Sequence, residues 1–231
     1  MPRIARVCVI NYPHHITQRG NNRETVFFDD DDRKFYLKIL SKYRDEWDFE
    51  IWAYCLMTNH VHILAVPRKK ESLAKGIGVT NLVYTQYFNR RYDRIGRLWQ
   101  NRFFSTIIEK EPYLWAVARY IERNPVRVDI VKKAEDYHWS SAKAHVLKIK
   151  DNILSGDSWL QESEMNAYHI FCRKEDNEID NCIRKITSTG RPLGGEEFIK
   201  DVGKMLDRVI FTKGVGRPKK SRVVKKIGKC P

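Results

Sequence analysis

Two histidines one residue apart, His60 and His62, are the sharpest chemical feature of the chain. On a strand, positions i and i+2 share a face about 6.6 Å apart. Both imidazoles can then converge on one divalent ion while Val61 and Ile63 pack on the opposite side. Two protein ligands leave an open site with room for substrate and water, which a catalytic cation needs and a structural one does not. Tyr120 is the second feature. It flanks an apolar helical stripe formed by Leu114, Val117, Ala118 and Ile121, with Asn124 one turn further on. A hydroxyl and an amide there can approach the strand that carries the histidines. The third feature is arginine set among aromatics: Arg19, Arg23, Arg90, Arg91, Arg97, Trp99, Arg102, Phe103, Arg123 and Arg127. Guanidinium groups grip phosphates bidentately, and flat rings stack on unpaired bases. Each feature has a plainer reading: two histidines on a half-buried strand, a core-edge tyrosine with a C-capping Asn, and solvated arginines. Tyr84, Tyr87 and Tyr92 also compete for any nucleophilic role.

The elements that must position these groups can be read in turn. Val7 to Arg19 reads as a strand closed by Gly20-Asn21-Asn22. Asp29 to Asp32 place negative charge where a helix should begin. Phe35, Tyr36, Ile39, Leu40 and Tyr43 then recur at helical spacing to about Trp47. Phe49 to Met57 and His60 to Val66 form a hairpin around Thr58-Asn59. A helix runs from about Ser72 to Asp93, a fourth strand from Phe103 to Ile108, and a helix from Pro112 to near Asn124, where Pro125 disfavours helical backbone before it. This order predicts an α+β fold: a four-stranded, mainly antiparallel sheet of ferredoxin-like or RRM-like type with helices, followed by a C-terminal helical extension.

The 231 residues allow one large domain, or one medium domain with an appendage. Forty-three Lys and Arg against 29 Asp and Glu leave a net charge of +14 and a pI near 9.6, which points to a polyanionic partner. No apolar run approaches the roughly 20 residues of a spanning helix, so a membrane partner is not expected. Five scattered cysteines without a C-x-x-C pair suit reduced cytosolic thiols. The expected division is a catalytic domain at 1–150, a helical accessory region at 151–212 that is a candidate DNA reader, and a basic tail at 213–231. The accessory region is interrupted by the Gly-rich stretch Ser188 to Gly195, compatible with a helix-turn-helix. The last 51 residues carry 14 Lys or Arg and 4 Asp or Glu, hence +10. The tail's Gly216-Arg217-Pro218-Lys219-Lys220 reads as a basic arm.

Taken together, these residues resemble a family. Cys55 to Asn59 followed by His60-Val61-His62 is similar to the His-hydrophobic-His motif of the HUH single-tyrosine (IS200-like) transposases. Tyr120 to Arg127, YIERNPVR, resembles the nucleophile helix of their REP-associated branch. Tyr12 to Arg23 and Gly96 to Phe103 look like that branch's other blocks, so the likeness runs from about residue 5 to 145. Val128, Asp129 and Ile130 depart from the branch's usual Ala-Gly-Leu, and Glu122 stands where a histidine is common.

The resemblance implies that Tyr120 attacks a phosphodiester of single-stranded DNA, leaving a 5′-phosphotyrosine link and a free 3′-hydroxyl. It implies that His60, His62 and the Asn124 amide oxygen hold Mg²⁺ or Mn²⁺, and that the substrates are imperfect hairpins at repeated extragenic palindromes. Arg19, Arg23, Arg97, Arg102, Arg123 and Arg127 are then expected to bind DNA. Arg217, Lys219 and Lys220 would grip the flanking duplex in its minor groove. A monomer or homodimer is expected, in the bacterial cytoplasm at the nucleoid. The alternative is a non-catalytic single-stranded nucleic-acid binder, or a regulator derived from a transposase.

Overall fold

The computed structural model describes residues 8–155 and 159–206. Its centre is a four-stranded sheet of β1 (His14–Arg19), β2 (Phe49–Met57), β3 (His60–Pro67) and β4 (Phe104–Ile107), ordered β2-β3-β1-β4 with every pairing antiparallel. This is the expected α+β sheet. The first strand begins at His14 rather than Val7, because Asn11 takes a left-handed backbone (φ 65°) and Pro13 follows it; Val7 lies outside the described residues. The expected hairpin is present, with His60 paired to Met57 and His62 to Cys55.

Alternation sorts the strands into two faces. Ile16, Val61, Ile63 and Ala65 point to one face, which α1 (Asp30–Glu46) and α2 (Ser72–Arg91) cover. Asp29 caps α1 by accepting from the Asp32 amide at 3.0 Å, which explains the acidic run at that start. The opposite face carries His15, Thr17, Arg19, His60 and His62, since residues directly opposite in an antiparallel pair share a side. Over it lie α3 (Lys110–Glu122) and the single turn α4 (Asn124–Arg127). Pro125 therefore breaks the helix, as expected, but its ring suits the first turn of a new one.

Beyond α4 come α5 (Ala142–Leu147), α6 (Met165–Arg173), α7 (Asn177–Thr187) and α8 (Glu196–Met205). These pack onto the domain. Tyr168 and Ile183 are fully buried, and α6 and α7 lie against α3. The Gly-rich stretch between α7 and α8 pairs with β4: the Leu193 amide donates to the Ile107 carbonyl at 2.8 Å, and the Glu109 amide donates to Leu193 at 2.9 Å. The first turn of α8 holds Glu196 and Glu197, a poor surface for phosphates. Residues 213–231, with Arg217, Lys219 and Lys220, lie outside the described residues. Among the described residues Cys8, Cys55 and Cys172 are free thiols, as expected. Among the described residues no helix is long and apolar enough to cross a membrane.

Candidate active site

The site forms where β3, β1 and the α3–α4 junction meet. The His60 and His62 rings lie edge to face with centroids 5.0 Å apart, and the Tyr120 ring stands edge-on to His62 at 5.8 Å. The Asn124 side chain lies beside the His60 ring, and its Nδ2 reaches back to the Tyr120 carbonyl at 3.4 Å. The structure thus brings Tyr120, His60, His62 and Asn124 together within a single chain.

Burial makes both histidines candidate ligands. Desolvation, aided by the Arg19 charge, pushes His60 down to about 4, and burial holds His62 well below its ordinary value. Both rings are therefore neutral near pH 7, with a lone pair available. Each also has one nitrogen fixed: His60 Nδ1 bonds Asn59 Oδ1 at 2.7 Å, and His62 Nδ1 meets His15 Nε2 at 2.9 Å. Such outer partners orient metal-ligating imidazoles and select their tautomers. Among the described residues no group of three or more His, Cys, Asp or Glu could form a cage. The donor set is two neutral imidazoles plus an amide oxygen. That set suits an open divalent site completed by phosphate oxygens, for which Mg²⁺ or Mn²⁺ is chemically apt.

His15 is a site residue that the sequence reading left unassigned. It is fully buried, stacks on His62 at 5.1 Å, lies 5.8 Å from the Tyr120 ring, and shares its Nδ1 with the Thr187 hydroxyl at 3.1 Å. Its signal was available in the alternation of β1, where His15, Thr17 and Arg19 share the side that faces His62 and His60.

The arginines divide into two sets. Arg19, Arg23, Arg97 and Arg102 are exposed and make no ion pair among the described residues. They ring the His60 end of the sheet. There the Gly20 amide bonds the Asn59 carbonyl, Asn59 Nδ2 bonds the Arg23 carbonyl, and the Gln100 amide bonds the Arg19 carbonyl. Gly20 is required at this junction, because a Cβ would stand 2.3 Å from the Glu24 carbonyl oxygen. Arg123 and Arg127 differ from the expectation of a DNA-facing role. Arg123 turns inward and donates to the Cys172 and Arg173 carbonyls and to Glu175, at 2.9, 3.3 and 3.0 Å. Arg127 lies with Cζ 3.9 Å above the Tyr120 ring, donates to the Tyr120 carbonyl at 2.9 Å, and pairs with Asp180 at 3.2 Å. Both side chains are engaged inside the fold because carboxylates and carbonyls from α6, α7 and the turn between them lie within reach.

Glu122, which departs from the family pattern, has its own explanation. Its fully buried carboxylate accepts from the Ser141 hydroxyl at 2.6 Å and the Tyr168 hydroxyl at 2.9 Å, and contacts His145 Nδ1 at 2.5 Å. It ties α3 to the segments that follow it.

A family model described as Transposase IS200 like matches residues 8–124, half of the 231. A protein of Haemophilus influenzae described as a REP-associated tyrosine transposase is 24% identical over 148 residues, 57% of this chain and 84% of that one. The solved structure of a REP-associated tyrosine transposase bound to a REP hairpin shares the fold, with a TM-score of 0.53 at 20% identity over 68% of this chain and 93% of the other. With the matched span carrying β1, the His60–His62 hairpin and the Tyr120 helix, the chain belongs to the IS200-like transposase family.

Proposed function

We propose that this transposase is a metal-dependent single-stranded DNA endonuclease and strand transferase. It acts on hairpin DNA of the REP type through a 5′-phosphotyrosine intermediate, at the bacterial nucleoid. The observation that carries the reading is the Tyr120 ring set edge-on to His62, 5.8 Å away, with the Asn124 side chain beside His60.

In this reading Tyr120 Oη attacks the scissile phosphorus. The O–P bond to tyrosine forms as the bond from phosphorus to the 3′-oxygen breaks; the phenol proton leaves to solvent and the departing 3′-oxygen takes one up. An ordinary phenol, with a pKa near 10, is a weak nucleophile at neutral pH. A divalent cation held by His60, His62 and the Asn124 amide oxygen would polarise the phosphate oxygens. Arg19, Arg23, Arg97 and Arg102 hold the strand's phosphates at the His60 end. The tail's Arg217, Lys219 and Lys220 hold the flanking duplex.

Labelled hairpin DNA incubated with the protein and Mn²⁺ should yield a covalent adduct on a denaturing gel. Tyr120→Phe abolishes it and His60→Ala greatly reduces it. Tight binding without an adduct, across varied hairpins, would overturn catalysis and leave a binding module.

A further inference from the structure

We propose that α7 is a working part of the active centre, with Asp180 holding the nucleophile and Thr187 holding the imidazole pair; this rests on the function proposed above. The helix lies wholly beyond residues 8–124, the span that the family model matches.

Its buried residues, Ile179, Asp180, Ile183 and Thr187, form one face. Ile179 and Ile183 account for its adhesion to α3. The two polar residues require another reason, because burying a carboxylate or a hydroxyl is unfavourable unless a partner is gained. Each partner lies on a path into the site.

Asp180 pairs with Arg127 at 3.2 Å, and the same guanidinium nitrogen donates to the Tyr120 carbonyl while Cζ sits 3.9 Å above the phenol ring. Asp180 also approaches Arg119, one residue before the nucleophile, at 3.8 Å. The carboxylate therefore anchors a cation over the nucleophile's ring and fixes which way that ring faces. Without it the guanidinium has reason to swing towards solvent.

Thr187 closes a second path, seven residues on and so about 10 Å further along the helix. If His62 is to offer Nε2 to a cation, its Nδ1–H must donate to His15 Nε2, 2.9 Å away. His15 must then carry its own proton on Nδ1, which donates to Thr187 Oγ1 at 3.1 Å. In that arrangement the Thr187 hydroxyl is the terminal acceptor of a chain that runs through both rings and holds them in register. Neither Asp180 nor Thr187 contacts the reacting atoms, so both are positioning residues.

The test uses the full chain and four variants: Asp180→Asn, Asp180→Glu, Thr187→Val and Ile183→Val. Ile183→Val loosens the apolar packing of α7 but keeps both polar paths. The readouts are the single-turnover rate of adduct formation at saturating hairpin, the hairpin Kd without metal, the Mn²⁺ Kd from the electron paramagnetic resonance of free Mn²⁺, and Tm. Asp180→Asn should slow adduct formation about tenfold to a hundredfold, as misplacement of a reacting group does. Hairpin Kd should stay within about twofold, and Asp180→Glu should recover much of the rate. Thr187→Val should weaken Mn²⁺ about tenfold, as loss of a ligand's outer partner does. Ile183→Val should lower Tm and leave rate and Mn²⁺ affinity intact. The proposal fails if the Asp180 and Thr187 variants lose only Tm, or if Ile183→Val reproduces their losses. Should the wild type form no adduct on any hairpin, the proposed function fails instead. The Mn²⁺ comparison between Thr187→Val and wild type then decides whether α7 holds the imidazoles.

Discussion

The rim at the His60 end of the sheet and the interior between α3 and the C-terminal helices use the same residue type for opposite ends. On the rim, Arg19, Arg23, Arg97 and Arg102 are exposed and form no ion pair among the described residues, so their charge is available to a polyanion. In the interior, Arg119, Arg123 and Arg127 face Asp176, Glu175 and Asp180, and their charge is consumed in fixing α3 and α4 against the C-terminal helices. What separates the two sets is the local supply of carboxylates, which comes from residues more than 50 positions further along the chain. The rim should therefore answer to salt and the interior to pH and to removal of partners.

Acid should have the largest effect. Burial pushes His14, His15 and His60 down to about 4, about 3 and about 4. The unfolded chain takes up protons near 6.5 that the native rings refuse, so stability falls as pH drops from about 6.5 towards 4. Each ring contributes a loss of about 1–2 kcal/mol by pH 5. The urea midpoint should be clearly lower at pH 5 than at pH 7 and nearly insensitive to salt; a flat pH response would break the contrast. Next comes Glu122→Ala, which strips a buried network of its acceptor and should lose about 3 kcal/mol, read as Cm in urea. Alanine at all four rim arginines should weaken hairpin binding roughly a hundredfold and lower the salt slope by about 3, with Cm unchanged. The smallest effect is expected from Arg123→Ala: a stability loss of about 2 kcal/mol with the salt slope intact. If that variant instead lowers the salt slope, the division of the arginines is wrong.

Much of the sheet was legible because its signals are local. The hairpin at Thr58-Asn59, the acidic start of α1 and the Pro125 break each depend on neighbours a few residues away. The pairing of Tyr120 with the histidines followed from periodicity plus resemblance. What stayed hidden depends on distant partners. His15 matters through His62, 47 positions on, and Thr187, 172 positions on. Arg123 looked like a phosphate ligand because nothing near it in the sequence shows that Cys172 and Glu175 wait for it. Glu122 looked like a departure from pattern because Ser141, His145 and Tyr168, which explain it, lie 19 to 46 residues beyond.

Every flat sheet has two outer margins whose unsatisfied amides and carbonyls invite another copy to add on. Here both margins are sealed from later in the chain. Along β2, the Leu56 amide bonds the Trp139 carbonyl, the Ser141 amide bonds Tyr54, and Ser155 exchanges bonds with Ile51; along β4, Leu193 fills the same office. Cutting the protein back to the matched span would strip these seals while sparing the histidines and the tyrosine. Self-association of the shortened chain should then set in before any question of chemistry arises.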